Sequence, residues 1–392
     1  MLEGKLHDRL EQSYEDMIKV RRYLHQHPEL SFKEVQTVKY IVNFYNTLGI
    51  EVHENIGKGG VVARIKGVKP GKTIALRADF DALPIQEEND VPYKSLVPGV
   101  MHACGHDGHT ATLLILAKVL NELKDELTGE YIMIHQHAEE LAPGGAKPMI
   151  EDGCLQGVDA IFGTHLWAPT PTGTIQYRKG AFMAAADLFE INIQGRGGHG
   201  AQPHTTKDAV AIGAQLVTNL QHLVSRKVNP INPAVVTIGS FHSGNAFNII
   251  ADTAVLQGTV RTFDEKTRDL IEAEIERIVK GTCIAADCTY EYQFHRGYPA
   301  VVNHDFETDV VIDSAKSVNG VEHIEESEPN MIGEDFAYYL QHVKGAFFFT
   351  GAKPEHIDQA YPHHHPKFDI NEKAMLIAAK TLGTAAIRYQ EK

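Results

Sequence analysis

The spacing of hydrophobic and polar positions changes from segment to segment along this chain. From residue 10 to residue 45 the apolar positions recur at helical spacing, with a break at His27-Pro28. Strand-like runs follow at 51–54, 61–65 and 73–80. The run ATLLILAKVLNELKDEL then predicts a helix, and GEYIMIHQHAEEL and VDAIFGTHLW predict two further strands. Helices that alternate with strands in this way indicate an α/β domain.

The pattern changes after Gly180, and the alternation of helix and strand returns from Tyr298. Between these points the predicted elements are strand, helix, strand, strand, helix and strand, which is the order of a ferredoxin-like α+β domain. A chain of 392 residues exceeds the usual size of one domain. We therefore predict a first α/β domain over 1–183 and 296–392, with a central mixed sheet flanked by helices, and a second domain inserted at 184–295.

Acidic residues and one histidine stand where the predicted strands end. Asp79 and Asp81 close the third strand, Glu139 and Glu140 close the fourth, and His165 ends the fifth. Open α/β sheets bind their ligands beyond the carboxyl ends of their strands. Instead of binding a ligand, the two aspartates could simply form a turn, and the two glutamates could lie in a solvated loop. The recurrence at three strands favours one shared site.

The densest group of reactive side chains lies in MHACGHDGHT, just before the predicted helix. Its Cys104 and His106 are spaced so that both could reach one metal ion from a loop. We expect His102, Asp107 and His109 to support the ligands or cap the helix. The alternative for this segment is a polar loop with a buried, inert cysteine.

Charge and composition limit the kinds of partner. The chain has 37 Lys and Arg against 51 Asp and Glu, a formal charge of -14, and no basic patch. These values argue against nonspecific binding to nucleic acid or to an anionic membrane. No secretory signal is visible, the longest apolar stretch is 111–117, and the four cysteines form no C-x-x-C pair. We therefore expect a cytoplasmic protein.

Two further segments contain histidines in loops. The glycines of GRGGHG satisfy G-x-G-x-x-G, but Pro203 follows and the next helix begins too late to hold a pyrophosphate. A loop that presents His199 to another group is the better interpretation. The chain has 22 histidines, and three of them lie in YPHHHP. We predict that this segment is a loop in which His363, His364 or His365 offers a metal ligand.

Together these positions predict a metal site. The candidate donors are Cys104, His106, Glu140, His165 and one histidine of 363–365. So many nitrogen, oxygen and sulfur donors exceed the needs of one tetrahedral ion and suit two ions. Such ions can hold an attacking water and a carbonyl oxygen, while Glu139 passes a proton to a leaving amine. The predicted chemistry is hydrolysis of an amide or peptide bond.

Essentially the whole chain resembles the dinuclear-metal amidohydrolases and exopeptidases, which include aminoacylases, hippurate hydrolases, carboxypeptidases and hydrolases of auxin conjugates (indole-acetyl amino acids). The resemblance is greatest to the hippurate and auxin-conjugate branch. It is carried by RRYLHQHPELSFKE, RADFDALP, MHACGHDGHT, HAEE, FGTHLW, GRGGHGAQPH, NAFNIIAD, GTVRTFD, GEDF and HHHPKFD, in the family's order. The resemblance implies a zinc-exopeptidase-like catalytic domain and an inserted domain that acts as a lid. It also implies that two chains form a homodimer through the inserted domain, with a higher homo-oligomer as the alternative.

The resemblance also implies a role for each site residue. The implied metal ligands are Cys104, His106, Glu140, His165 and His364. His364 fits the family pattern of histidine, any residue and proline, with His363 as the rival. Glu139 is implied as the general base, and Asp81 as the carboxylate that orients a ligand. In the inserted domain, His199 is implied to stabilise the developing oxyanion, often across a dimer interface, and Asn248 and Arg261 to hold the substrate's carboxylate.

The substrate and the metal stay open. We expect an amidohydrolase that acts on N-acyl amino acids, with a peptidase acting on short peptides as the alternative, because both substrates present an amide and a carboxylate. The expected cofactor is two divalent ions per subunit, Zn or Mn, with Co or Ni as further choices, because Cys104 stands where distant exopeptidases have a carboxylate. A catalytically silent metal-binding protein is disfavoured, because it has no use for Glu139.

Overall fold

The computed structural model describes residues 2–355 and 357–391. Over these residues the helices are α1 (Leu2–Gln12), α2 (Tyr14–Gln26), α3 (Gln36–Thr47), α4 (His106–Glu122), α5 (Ala146–Glu151), α6 (Ala209–Arg226), α7 (Glu265–Ala285), α8 (Asp305–Ala315), α9 (Phe336–His342) and α10 (Lys373–Glu391). The strands are β1 (Glu51–Ile56), β2 (Gly60–Lys66), β3 (Lys69–Asp79), β4 (Thr128–Gln136), β5 (Ala160–Pro171), β6 (Thr174–Tyr177), β7 (Gly180–Met183), β8 (Ala185–Gln194), β9 (Gly198–His199), β10 (Ala234–Ser243), β11 (Ile249–Ile250), β12 (Thr253–Thr262), β13 (Thr289–His295), β14 (Val301–Asn303), β15 (His323–Glu326) and β16 (Lys344–Lys353). In the described part of the chain, no helix is both long and apolar enough to span a membrane.

The larger sheet is mixed. Its strands lie in the order β1-β2-β4-β3-β5-β16-β6-β15. The central strands β4, β3, β5 and β16 run parallel, while β2 and β6 pair with their neighbours β4 and β16 in the antiparallel direction. Helices α4, α8 and α10 pack against these strands. The predicted α/β class, with a central mixed sheet flanked by helices, is confirmed.

Helix α4 is buried on all sides, which explains its apolar composition. Residues 106–117 are all buried, and the helix contacts strands β3 and β5 as well as helices α2 and α10. Its leucines share one core with Leu76 of β3 and Phe162 of β5. Removing this much apolar surface from water strongly favours the packed state. The first turn of α4, which begins at His106, is therefore held firmly.

Two of the boundaries that differ from the sequence predictions lie next to the predicted metal ligands. Helix α4 begins at His106 instead of residue 111, because polar residues in its first turn conceal the helical period. The prediction that β5 ends at His165 is wrong, since the strand continues to Pro171. The reason is that β16 pairs with β5 along its whole length, whereas β3 pairs with it only as far as Gly163. His165 thus lies two residues beyond the last residue of β5 that pairs with β3.

The chain folds as two compact units. The first comprises Met1–Phe182, Val302–Glu328 and Asp335–Lys392, and the second comprises Met183–Val301 with Pro329–Glu334. The second unit includes Pro329–Glu334, which the sequence prediction did not separate from the catalytic domain.

The second unit has its own sheet and its own core. Its strands lie in the order β10-β12-β8-β13 and are antiparallel. Helices α6 and α7 pack against this sheet, and their Leu216, Leu220 and Ile275 share its apolar core. The order of elements is βαββαβ, as in ferredoxin-like domains. A lid or dimerisation role for this unit stays a prediction.

A buried arginine joins three segments of the first unit. Arg21 in α2 is 0% exposed. Its Nε donates to Asp107 at 2.8 Å, and its Nη2 donates to Asp369 at 2.9 Å. Asp107 follows His106 in the first turn of α4, and Asp369 precedes α10. Since an unpaired buried charge is costly, this guanidinium fixes both segments relative to α2.

Replacing Arg21 by methionine is expected to lower the free energy of unfolding by about 3–5 kcal/mol, because the buried Asp107 and the partly buried Asp369 lose their shared partner. Arg22→Met is the matched control. The side chain of Arg22 is 42% exposed and binds Glu372, so we expect a loss below about 1 kcal/mol. Urea denaturation followed by circular dichroism measures both variants. Equal losses would contradict this role of Arg21.

Candidate metal centre

The ends of neighbouring strands bring polar side chains of the first unit together. Asp81 follows β3, Glu140 follows β4, and His165 lies on β5. The three strands are parallel neighbours, so their carboxyl ends meet at one edge of the sheet. Helix α4 begins at the same site with His106, and Cys104 stands two residues before it.

Left-handed backbone conformations set the directions of several of these side chains. Gly105, between Cys104 and His106, has a φ of 90°, which glycine adopts without strain. Ala138 has a φ of 52° and His364 has a φ of 65°, values that other residues adopt only at a cost. Strained backbone of this kind concentrates in functional sites.

The candidate donor atoms lie close together. Sγ of Cys104 is 3.4 Å from Nε2 of His165, and Nε2 of His364 is 3.2 Å from Oε2 of Glu140. Nε2 of His106 is 3.8 Å from Oε1 of Glu140. One donor group consists of Cys104, His106 and His165, and another consists of Cys104, Glu140 and His364; in each, the donor atoms lie within 4.8 Å of one another. Two adjoining groups therefore share Cys104.

Hydrogen bonds decide which nitrogen of each histidine faces the group. Nδ1 of His165 lies 3.0 Å from the carbonyl oxygen of Leu166, which can only accept, so Nδ1 carries the proton. Nδ1 of His106 donates to Oδ1 of Asp81 at 3.1 Å. In its neutral form, each ring thus presents the lone pair of Nε2, and this is the form that binds metal ions. Among the described residues, the buried Nε2 of His106 and Oε1 of Glu140 have no hydrogen-bond partner.

Asp81 holds neighbouring residues through both of its carboxylate oxygens. While Oδ1 accepts from His106, Oδ2 accepts the backbone N–H of Glu140 at 2.9 Å and the hydroxyl of Ser31 at 2.7 Å. Burial alone would raise the pKa of Asp81, but the hydrogen bonds outweigh it and lower that pKa. Asp81 is therefore an ionised carboxylate that fixes the His106 ring and the Glu140 backbone.

Two residues at this site were missed by the sequence analysis. Ser31 donates to Asp81, and Oε1 of Glu34 accepts the backbone N–H of Ala138 at 2.8 Å. Burial and the nearby Asp81 raise the pKa of Glu34 to about 8. Both residues belong to RRYLHQHPELSFKE, where neither spacing nor a strand end marks them. They reach the site because the loop after α2 folds back onto the strand ends.

His109 lies beside the donors, but both of its nitrogens are occupied. Its Nδ1 is 2.6 Å from Asp79, and its Nε2 accepts the backbone N–H of Leu166 at 2.9 Å. The other oxygen of Asp79 accepts from Arg77 at 2.7 Å. A ring whose lone pair is already used offers nothing to a metal ion, so His109 joins α4 to β3 and β5 instead.

The structure distinguishes His363 from His364. The ring of His363 stacks on Trp167, with centroids 4.5 Å apart, and its Nε2 donates to the carbonyl oxygen of Leu166 at 3.1 Å. Burial lowers the pKa of His363 to about 3, so the ring is neutral. His364 instead contacts Glu140. The geometry thus favours His364 as the member of the donor group.

The site carries more negative than positive charge. Burial and the carboxylates of Glu140 and Glu139 hold the pKa of the Cys104 thiol well above its usual range. Burial opposes a positive charge on His106, but Asp79 and Asp81 outweigh it and raise the pKa of His106 to about 10. A cation here would offset the negative charge and favour the thiolate and the neutral imidazole that metal binding needs.

Three of the predicted site residues belong to the second unit. His199 of β9 pairs with Ile249 of β11, and the carbonyl oxygen of Asn248 accepts the N–H of Gly200 at 2.9 Å. His199 and Asn248 therefore share one two-stranded ribbon. Arg261 lies on β12, in the larger sheet of that unit.

Known proteins resemble this chain along its length. YhaA of Bacillus subtilis (strain 168), which carries an amidohydrolase name, is 60% identical over 390 residues, 100% of this chain and 98% of that protein. The N-acyl-L-amino acid amidohydrolase of Geobacillus stearothermophilus is 51% identical over 290 residues, 74% of this chain and 78% of that protein.

The fold and the family model agree with these relatives. The crystal structure of the Bacillus subtilis YXEP protein, described as a dinuclear metal binding peptidase from the M20 family, matches with a TM-score of 0.85 at 36% identity and covers 97% of this chain and 99% of that one. The model of Peptidase family M20/M25/M40 matches residues 75–388. The family predicted from the sequence motifs is confirmed. This chain is a hydrolase of amide bonds and belongs to peptidase family M20/M25/M40.

Proposed function

We propose that this chain is a metal-dependent amidohydrolase that cleaves the amide bond of N-acyl amino acids. The observation that carries the proposal is a pair of buried atoms, Nε2 of His106 and Oε1 of Glu140. They lie 3.8 Å apart without a hydrogen-bond partner among the described residues. Such atoms are costly to bury unless an ion binds them. The name of the N-acyl-L-amino acid amidohydrolase relative supports the substrate class.

The proposed ligands are Cys104, His106, Glu140, His165 and His364, around two divalent ions. Thiolate, imidazole and carboxylate donors fit zinc, and manganese, cobalt or nickel are further choices. The two donor groups that share Cys104 support a dinuclear arrangement. When bound, the ions would polarise the amide carbonyl and activate a water molecule.

Glu139 is proposed as the general base. Its Oε2 lies 3.9 Å from Nε2 of His106, so the carboxylate is beside the proposed ligands but outside their set. In this position it can take a proton from the attacking water and pass it to the leaving amine. The hydrogen bond from Ala138 to Glu34 holds the preceding turn. Asp81 is proposed to orient His106 and the Glu140 backbone through its own hydrogen bonds.

Residues of the second unit are proposed to complete substrate binding. His199 would stabilise the developing oxyanion, and Asn248 and Arg261 would hold the carboxylate of the substrate. A guanidinium suits that task because it can donate two parallel hydrogen bonds to a carboxylate. The ribbon shared by His199 and Asn248 supports a joint role. A homodimer and a cytoplasmic location are proposed from the sequence alone.

A peptidase that acts on short peptides is the second candidate. The description of the YXEP protein as a peptidase favours it. A short peptide and an N-acyl amino acid both present an amide bond and a carboxylate, so the same residues would serve either substrate.

A substrate panel tests the proposed function and separates the two candidates. N-acetyl, N-benzoyl and indole-acetyl amino acids, together with dipeptides, are incubated with protein loaded with Zn, Mn, Co or Ni in turn. We expect amine release from at least one N-acyl amino acid to be faster than from any dipeptide. Faster release from a dipeptide would make the chain a peptidase, and no release from any substrate would contradict hydrolysis.

Glu139→Gln is expected to lower kcat by about 10²–10⁴-fold, because a glutamine side chain cannot take the proton of the attacking water. Metal content, measured by plasma mass spectrometry on the same samples, should stay unchanged. Glu151→Gln, at an exposed position of the first unit, is the matched control and should keep full turnover. Retained turnover in Glu139→Gln with metal bound would exclude Glu139 as the base.

His364→Ala is expected to weaken the binding of one of the two proposed ions, because its imidazole leaves the Cys104 and Glu140 group. His363→Ala should keep both ions, since Nε2 of His363 already donates to a carbonyl oxygen. His365→Ala is the control for the loop. Equilibrium dialysis with metal analysis compares the three variants. Loss of an ion in His363→Ala alone would reverse the assignment.

A further inference from the structure

Phe32 has a backbone conformation that its side chain disfavours. Its φ is 64°, and it is the third residue of a turn in which the N–H of Lys33 donates to the carbonyl oxygen of Leu30 at 2.9 Å. A positive φ at this position is typical of a type II turn, where glycine or asparagine is the usual residue. A bulky aromatic residue there requires a separate explanation.

Packing does not explain this phenylalanine. Phe32 is 47% exposed, so its burial contributes only part of what a core phenylalanine contributes. Its ring meets the ring of His137 edge-on, with centroids 5.9 Å apart. Strained residues persist where the surrounding structure holds them, and they concentrate at sites that contact ligands.

The turn is attached to the candidate metal centre on both sides of Phe32. Before it, the Ser31 hydroxyl donates to Asp81 at 2.7 Å. After it, Glu34 accepts the backbone N–H of Ala138, the residue that precedes Glu139, at 2.8 Å. The hydrogen bonds that order the site therefore also hold the strained turn, and the exposed ring lies against His137, two residues before the proposed base.

We infer that the ring of Phe32 is a binding surface for the apolar acyl group of the substrate. This inference rests on the proposed function, an amidohydrolase of N-acyl amino acids. Such a substrate has a charged end, the carboxylate, and an uncharged end, the acyl group, and an exposed aromatic ring suits the uncharged end. A benzoyl group can make ring-to-ring contacts that an acetyl group cannot make.

The test compares two substrates that differ only in the acyl group, N-acetylalanine and N-benzoylalanine. Phe32→Gly removes the ring at a position where glycine fits the backbone. We expect its KM for N-benzoylalanine to rise about tenfold, while its KM for N-acetylalanine stays as in the unmodified protein. Phe32→Tyr should keep both KM values. Phe306→Ala, which removes another half-exposed phenylalanine, is the matched control and should change neither.

Thermal unfolding separates substrate contact from packing. The midpoint of Phe32→Gly should stay within about 2 °C of the unmodified protein, because relief of the positive φ offsets the extra freedom of glycine in the unfolded chain. A larger fall would assign the ring to packing and overturn the inference.

The remaining outcomes are also decisive. Equal changes in KM for both substrates, or no change for either, would overturn the inference and leave the proposed function intact. A loss that follows the amino-acid side chain, seen with N-acetylphenylalanine against N-acetylalanine, would overturn the assignment to the acyl group. If the unmodified protein hydrolyses none of the N-acyl amino acids in the substrate panel described above, the proposed function itself fails, and this is seen before any variant is made.

Discussion

A buried carboxylate needs hydrogen-bond donors for both of its oxygens, and Asp81 finds them on three different segments. The donors are the ring of His106, the backbone of Glu140 and the hydroxyl of Ser31. They come from the first turn of α4, the segment after β4 and the loop after α2. One side chain therefore fixes the relative positions of three segments, and the candidate metal centre is built on that arrangement.

Charge balance differs between the candidate centre and its surroundings. Behind the donors, Arg77 donates to Asp79 and Asp335, and Arg21 donates to Asp107. These carboxylates have buried cationic partners from the chain itself. At the donor group, negative charge instead raises the pKa of the Cys104 thiol. A cation is thus electrostatically favoured at the donor group, while Asp79, Asp107 and Asp335 each already bind an arginine.

Periodicity predicted the central sheet and the βαββαβ order well, because strands and helices in this chain have clearly different apolar spacing. It failed where polar residues interrupt the spacing. For that reason the predicted helix lacks the first turn of α4, which begins at His106. The predicted β5 stops at His165, although β16 pairs with β5 beyond that residue. Ser31 and Glu34 were missed because their contacts with the strand ends are long-range and leave no local pattern.

The types of donor, their order along the chain and the family follow from the amino-acid sequence, because they depend on side-chain chemistry and local spacing. Which donor atoms lie close together depends on the tertiary structure. In the folded chain His364 contacts Glu140, whereas His363 donates to the carbonyl oxygen of Leu166. Phe32 lies in a strained turn that is hydrogen-bonded to the site through Ser31. These outcomes depend on hydrogen bonds between residues that are distant in sequence, and on the cost of leaving buried polar groups without partners.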